Sequence, residues 1–202
     1  MRADELDALA ALGERSIVRT MTGGPHGGLV DCLIPHNAVR SFSWRRSDEC
    51  RPNQAFACAL PGVRLPDHVV RNSIDAVQRH LLTPVGLRTL SADHALYEAH
   101  YKGSMTDRDR AYHNGTVWPW LIGGFIDAKL RLNPDRGSLN AMHTHLMGMA
   151  SLMDTDGVGS IHEIYDAEPG PNRKHAPQGC PAQAWSIAEV LRSMVLVSAR
   201  LG

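Results

Sequence analysis

One segment, 115–132, constrains the fold more than any other because it is apolar nearly all the way round a helix. Its large apolar side chains are Val117, Trp118, Leu121, Ile122, Phe125 and Ile126, and Asn133-Pro134 ends the pattern. A helix without a polar face has to be covered by other elements on every side. The segment therefore predicts a buried helix inside a larger helical array.

Five further segments have helical patterns, and they cover residues 4–21, 54–60, 66–82, 138–153 and 183–201. Between them, 28–31 could form a short strand, 37–50 is irregular and polar, and 86–114 has the character of a long loop. So long a loop with little periodicity is uncommon unless it is functional. About six helices, few strands and long loops predict an all-α array in a single domain, 1–202, with functional loops at one end.

The charge and cysteine content exclude several classes of protein. Lys and Arg total 21, as do Asp and Glu, so no basic surface for nucleic acid or an anionic membrane is expected. No apolar run approaches the roughly 18 residues of a membrane span. The four cysteines have neither zinc-ligand spacing nor the density of a disulfide framework. Together with an acidic start in place of a signal peptide, these features predict reduced thiols and a cytoplasmic protein.

The segment 157–190 is where catalytic residues are expected. A short apolar stretch contains Glu163, Asp166 follows, and a loop rich in Pro and Gly leads to Gly179-Cys180 and the last helix. An acid among apolar residues is either exposed on a turn or desolvated with a raised pKa. A carboxylate at the mouth of a helix array, beside Gln183 and Trp185, is what a sugar-cleaving site needs. Asp48 and Glu49 have the same two interpretations.

Polar and aromatic residues gather at two helix starts. Arg51, Asn53 and Gln54 could cap a helix, or they could donate hydrogen bonds to sugar hydroxyls. Trp118 and Trp120 could belong to the core. They also stand just after Tyr112 and His113, and aromatic faces beside polar groups suit a pyranose ring, which has apolar C–H faces and a polar rim.

The eleven histidines give no metal-binding pattern in the sequence. His143 and His145 are two residues apart on a helix and therefore diverge, and no HExxH string is present. No metal or other cofactor is therefore expected. Cys180, at a helix start that would stabilise a thiolate, leaves a Cys–His nucleophile open as an alternative.

Five strings of the sequence resemble the C-terminal, amylo-α-1,6-glucosidase domain of glycogen debranching enzymes. They are RPNQAFACALP at 51–61, TPVGLRTLS at 83–91, YHNGTVWPWLIGGF at 112–125, HEIYDAEP at 162–169 and GCPAQAWSIAEVLR at 179–192. Their order and spacing are similar to those of the family from about residue 27 onward. Five strings in order indicate membership far better than any one of them would.

The resemblance implies an (α/α)6 toroid that hydrolyses an α-1,6-glucosidic bond of glycogen or a branched α-glucan with inversion. In that mechanism one carboxylic acid protonates the leaving oxygen, and a second carboxylate activates water. The two carboxyl groups stand roughly 6.5–9.5 Å apart. The family motif makes Glu163 the general base. Matching positions make the following residues candidates for substrate binding: Arg51, Asn53, Gln54, Arg88, Tyr112, His113, Trp118, Trp120, Gln183 and Trp185.

The sequence also departs from the family pattern. Asn114 stands where the family usually has glutamine, Ala167 where it has glycine, and the loop 170–178 is longer than expected. No WGRD-type string, which carries the family's general acid, is present. About six helices make only half of a closed toroid, so the chain looks like the C-terminal half of the domain.

Half a toroid would leave apolar surface exposed, including that of 115–132. Self-association or pairing with a separately encoded N-terminal half is therefore expected. The alternatives are a non-catalytic glucan-binding remnant and a related (α/α)6 hydrolase that acts on another α-glucoside.

Overall fold

A computed structural model describes residues 2–38 and 41–202, and within them the chain is mostly helical. The helices are α1 (Ala3–Met21), α2 (Asn53–Ala59), α3 (Asp67–His80), α4 (Met105–Tyr112), α5 (Ile122–Arg131), α6 (Arg136–Ala150), α7 (Leu152–Thr155) and α8 (Ala184–Leu201), with 3-10 turns at Pro25–Gly27 and Pro119–Leu121. The expected helical class is confirmed. No helix in these ranges has both the length and the apolar character needed to cross a membrane.

The strands are short, and they form two antiparallel sheets. They are β1 (Leu33–Ala38), β2 (Ser41–Arg46), β3 (Leu82–Thr83), β4 (Gly86–Arg88), β5 (Val117–Trp118), β6 (Ile164–Tyr165) and β7 (Pro177–Gln178). β1 and β2 form a hairpin, and the other strands form a sheet in the order β3-β4-β5-β6-β7. In this sheet Trp118 pairs with Leu87, and Val117 pairs with Tyr165. The sheet therefore brings the segments around 118 and 163 side by side.

Helix α5 lies at the centre of the core. It packs against α2, α3 and α8, and seven of its ten residues are buried. Two glycines allow this approach: a Cβ at Gly123 would lie 1.7 Å from a carboxylate oxygen of Glu189, and one at Gly124 would lie 2.8 Å from the ring of Phe56. The expectation that half a toroid leaves this segment exposed is therefore wrong for α5.

Helix α1 differs from α5 because none of its residues is fully buried. Ile17, Val18 and Met21 near its C-terminal end pack against the core. Leu6, Leu9 and Leu12 are each more than half exposed. The apolar surface that the chain leaves open therefore includes the first half of α1.

Most predicted helices begin and end within about two residues of the observed ones, which is the usual uncertainty at frayed helix ends. Three predictions were wrong in part. Residues 117–118 are extended in β5 because they pair with β4 and β6. The predicted loop 86–114 contains β4 and α4. The region 37–50, predicted to be irregular, contains β2, although its residues 39 and 40 lie outside the described ranges.

The predicted strand at 28–31 is reduced to one bridge. Leu29 pairs with Thr22, and the first regular strand begins only at Leu33.

Candidate active site

A pocket of about 640 Å³ opens where the starts of α2 and α8 meet the segments before α5 and β6. Its lining consists of Arg51, Pro52, Asn53, Thr89, Tyr112, His113, Trp118, Trp120, Leu121, Glu163 and Trp185. Eight of the eleven predicted site residues are therefore brought together by the fold. Glu163 is the one acidic residue among the described residues that line this pocket.

Glu163 stands directly before β6, and both of its carboxylate oxygens are held. The Tyr112 hydroxyl donates to Oε1 at 2.6 Å, and the backbone N–H of Cys180 donates to Oε2 at 3.0 Å. The backbone N–H of Glu163 donates in turn to the carbonyl of Cys180 at 2.9 Å. These contacts fix the direction of the carboxylate, which is what a general base requires.

Gly179 makes this arrangement possible. Its φ of +66° lies in the left-handed region, and a Cβ there would stand 2.5 Å from Oε2 of Glu163. Glycine avoids both the backbone strain and the clash. The glycine of the GCPAQAW string is therefore needed to seat the carboxylate against the N–H of Cys180.

Tyr112 links the carboxylate to the aromatic part of the pocket. Burial raises the pKa of its hydroxyl, and the hydrogen bond to Glu163 raises that pKa further. The hydroxyl therefore keeps its proton at neutral pH and remains a donor. The Trp118 indole N–H donates to the carbonyl of Tyr112 at 3.0 Å, and the two rings meet edge to face at 4.8 Å.

Two stacked aromatic pairs form the walls. His113 stacks on Trp118 with ring centres 5.3 Å apart, and Trp120 stacks on Trp185 with centres 5.4 Å apart. Trp118 is 5% exposed, whereas Trp185 is 44% exposed at the rim. Burial lowers the pKa of His113, and the charge of Arg51 lowers it further, so its imidazole is neutral at pH 7. Neutral, flat walls suit the C–H faces of a sugar ring.

Arg51 ties three segments together at the pocket floor. Its guanidinium pairs with Glu49 at 2.7 Å and donates to the carbonyl of Thr89 at 3.0 Å. It also donates to the carbonyl of His113 and, at 2.8 Å, to the Asn114 side chain. The hydrogen bond from Arg51 lowers the pKa of Glu49. Arg51 thus positions its neighbours in addition to lining the pocket.

Asn53 connects the pocket to an acid that the sequence did not single out. Its amide donates to Asp31 Oδ1 at 2.8 Å. Burial raises the pKa of Asp31, although the hydrogen bond from Asn53 and the charge of Arg51 oppose the shift. Pro52, Thr89 and Leu121 were also not singled out, although each adjoins or lies within one of the five strings.

Three predicted substrate-binding residues lie outside the pocket lining. Gln54 is buried, accepts from the N–H of Leu29 at 3.2 Å and donates to the carbonyl of Arg51 at 3.0 Å. Arg88 pairs with Glu168 at 3.0 Å. Gln183 precedes α8, and its backbone N–H donates to the carbonyl of Ile161 at 3.0 Å. The contacts found for these residues support the segments around the site.

The contacts of Cys180 give no support to a Cys–His nucleophile. Its thiol is exposed and donates to the carbonyl of Ala182 at 3.5 Å. The role that the structure gives to Cys180 is the backbone N–H donated to Glu163.

Comparison with known proteins identifies the family of the chain. The sequence matches the amylo-alpha-1,6-glucosidase family over residues 36–192, and the chain belongs to that family, a group related to glycosidases. It is also similar to the glycogen debranching enzyme of Saccharomyces cerevisiae, with 33% identity over 87 residues. That alignment covers 40% of this chain and 6% of the yeast protein, so the chain corresponds to a small part of that relative.

Proposed function

We propose that the chain carries the base side of an inverting glycosidase site for α-1,6-glucosidic branch points in glycogen or a related α-glucan. The observation that carries the proposal is Glu163, held by two donors in a pocket with aromatic walls. Membership of the amylo-alpha-1,6-glucosidase family supports the substrate class.

In the proposed reaction, Glu163 accepts a proton from a water molecule. The water attacks the anomeric carbon on the face opposite the leaving oxygen, and a second carboxylic acid protonates that oxygen. Tyr112 and the N–H of Cys180 keep the base directed at the water throughout. The stacked Trp120 and Trp185 would hold the glucose ring by its apolar face.

We infer that the second carboxyl group comes from another polypeptide segment. Glu163 is the one acid in the lining that the structure describes, whereas inversion needs two. Two acids that contact lining residues do not themselves line the pocket: Glu49 forms an ion pair with Arg51, and Asp31 accepts a hydrogen bond from Asn53. In this proposal the chain is one half of an (α/α)6 toroid, and an N-terminal half supplies the general acid.

The exposed leucines of α1 support such an association. Leu6, Leu9 and Leu12 present apolar surface that a partner half would cover, and self-association would cover it as well.

The test is glucose release from a branched limit dextrin, measured with the chain alone and mixed with the N-terminal half of a debranching enzyme's glucosidase domain. Glucose release is expected only from the mixture and not from the isolated chain. Glu163→Gln should lower that rate by about 10²–10⁴-fold, because a general base contributes that much. Glu98→Gln is the matched control, since that acid pairs with Arg110 at the surface. Equal rates for the two variants would refute the assignment of Glu163.

A second candidate is a glucan-binding protein without turnover, which the single acid in the pocket favours. It predicts retention on glycogen with no glucose release in either arm, and loss of that retention in Trp185→Ala. A third, a hydrolase of another α-glucoside, predicts release from a different linkage in the same assay, since the fold alone does not fix the sugar.

A further inference from the structure

Three potential metal ligands meet at the 3-10 turn Pro25–Gly27, which precedes Asp31 in the chain. They are His26 in the 3-10 turn after α1, His80 at the end of α3 and Asp93 in the loop after β4. One ring nitrogen of each histidine and one carboxylate oxygen of Asp93 all lie within 4.8 Å of one another. None of the three lines the sugar pocket.

The distances are close to those around a bound ion. His26 Nε2 lies 3.0 Å from Asp93 Oδ2, and the rings of His26 and His80 are stacked with centres 3.5 Å apart. Ligand atoms about 2.0–2.2 Å from a zinc ion stand roughly 3–4 Å from one another. The ligand atoms are therefore near one another, but the stacked rings are almost parallel, so one imidazole has to rotate before both ring nitrogens point at the same ion.

The backbone places His26 at a conformational cost. Its φ is +57°, in the left-handed region that non-glycine residues rarely adopt. The surrounding turn is closed by hydrogen bonds from the N–H of Gly24 to the carbonyl of Gly28 at 2.7 Å and from the N–H of Gly27 to that of Gly24 at 3.0 Å. Strain of this kind persists where the surroundings enforce it, and it is frequent at ligand sites.

The chemistry of the set selects the class of ion. Two imidazoles and one carboxylate match the mixed nitrogen and oxygen preference of zinc and similar transition metals rather than the all-oxygen preference of calcium or magnesium. The carboxylate offsets part of the charge of the ion. The Asp93 side chain is 57% exposed, so water can reach the site and complete the coordination.

We propose that His26, His80 and Asp93 form a structural site for a divalent transition metal of the zinc class. The ion would join three segments, two of which lead to residues that hold the lining of the pocket. The turn around His26 leads to Asp31, which holds Asn53, and the loop of Asp93 follows Thr89, whose carbonyl holds Arg51. This proposal departs from the expectation, drawn from the sequence, that the histidines bind no metal, and it does not depend on glucan hydrolysis.

The experiment begins by removing bound metal from the full chain with a chelator and then removing the chelator. Titration calorimetry then measures the binding of Zn²⁺ and, in a separate run, of Mg²⁺. A single zinc ion per chain is expected, with weak or no binding of magnesium. Co²⁺ should give visible absorption typical of nitrogen and oxygen ligands, a signal that a plain ion pair between His26 and Asp93 would not produce. Absence of zinc uptake by the wild-type chain would overturn the proposal.

Variants locate the site. His80→Ala and Asp93→Asn should each weaken zinc binding at least about tenfold, because even the residues that support ligands have effects of that size. His68→Ala is the matched control, since that histidine lies exposed on the same helix as His80. Circular dichroism confirms that each variant is folded. Equal loss in His68→Ala, or unchanged affinity in both site variants, would show that zinc binds elsewhere and contradict the assignment.

Discussion

The segment 163–168 begins and ends with a glutamate, and each glutamate accepts a hydrogen bond from a tyrosine elsewhere in the chain. The Tyr112 hydroxyl donates to Glu163 at 2.6 Å, and the Tyr97 hydroxyl donates to Glu168 at 2.8 Å. Arg88 adds a cation to the second pair at 3.0 Å. Both hydrogen-bond donors of Glu163 are uncharged, which fits the proposed role of this carboxylate as a base. Glu168 instead closes an ion pair that joins β4 to the segment after β6.

The comparison shows what distinguishes a candidate base from a supporting acid. Hydrogen bonds to a tyrosine are common to both ends, so they do not mark the active residue. The two acids differ in their other surroundings: Glu168 pairs with the cation Arg88, whereas Glu163 lines the pocket. Four predictions test the distinction.

Gly179→Ala should disturb the Glu163 end most. The new Cβ would stand 2.5 Å from Oε2 and at a positive φ, so the carboxylate has to move. Displacement of a catalytic group by about 1 Å costs on the order of 10²-fold in rate. The measurement is kcat for glucose release by the reconstituted protein. Gly170→Ala, whose Cβ would come no nearer than 3.6 Å to any neighbour, is the control, and a similar loss there would contradict the argument.

Tyr112→Phe and Tyr97→Phe compare the two tyrosines directly. A hydrogen bond to a charged group contributes about 1.5–3 kcal/mol, so losing the one that orients Glu163 should lower kcat by roughly 10–100-fold. Tyr97→Phe removes the same hydroxyl from Glu168 and should leave kcat unchanged. Equal kinetic losses in the two variants would mean that the Glu163 end has no special role.

Glu168→Gln should act on stability and not on turnover. The side chain is 40% exposed and its Arg88 partner 18%, so loss of the ion pair is expected to lower the free energy of unfolding by about 1 kcal/mol. Urea denaturation of the isolated chain measures this. A loss of glucose release without a change in stability would instead place Glu168 in the chemistry.

The pH dependence of stability should show both tyrosines at once. Two causes raise the pKa of each hydroxyl above the ordinary value of 10.0: burial, which has the larger effect, and the hydrogen bond to a carboxylate. Their contribution to stability is therefore fully present below pH 10 and is lost as the pH rises above it.

Between pH 9 and pH 11, the free energy of unfolding should decrease less steeply in the double variant Tyr97→Phe, Tyr112→Phe than in the wild type. Urea denaturation at each pH measures this free energy. An unchanged slope would contradict the pKa shifts.

The sequence predicted those parts of the fold in which local pattern and packing agree. The segments that became α1, α3, α6 and α8 have apolar periodicity and recognisable ends, and they formed as expected. Helix α4 could have been found, because Ser104 and Asp107 form a capping box at its start. Its low content of apolar residues concealed it.

The rest depends on contacts between distant residues, which no local pattern contains. Val117 and Trp118 are helical by composition but extended in the fold, because β4 and β6 offer them backbone partners. The same holds for the hydrogen bond between Tyr112 and Glu163 and for the meeting of His26, His80 and Asp93. The motif strings predicted eight of the residues that line the pocket and proposed Glu163 as the base, but they did not show which donors hold its carboxylate.

The tryptophan cluster gives the chain a built-in optical reporter. Three of its four tryptophans line the pocket that contains Glu163, and the fourth, Trp44, is exposed on β2. A sugar ring placed against Trp120 and Trp185 would shield the indoles from water and shift their emission to shorter wavelength. Trp44→Phe would remove the background from the hairpin. Occupancy of the pocket can then be followed by fluorescence in the isolated chain, even under conditions in which no bond is cleaved.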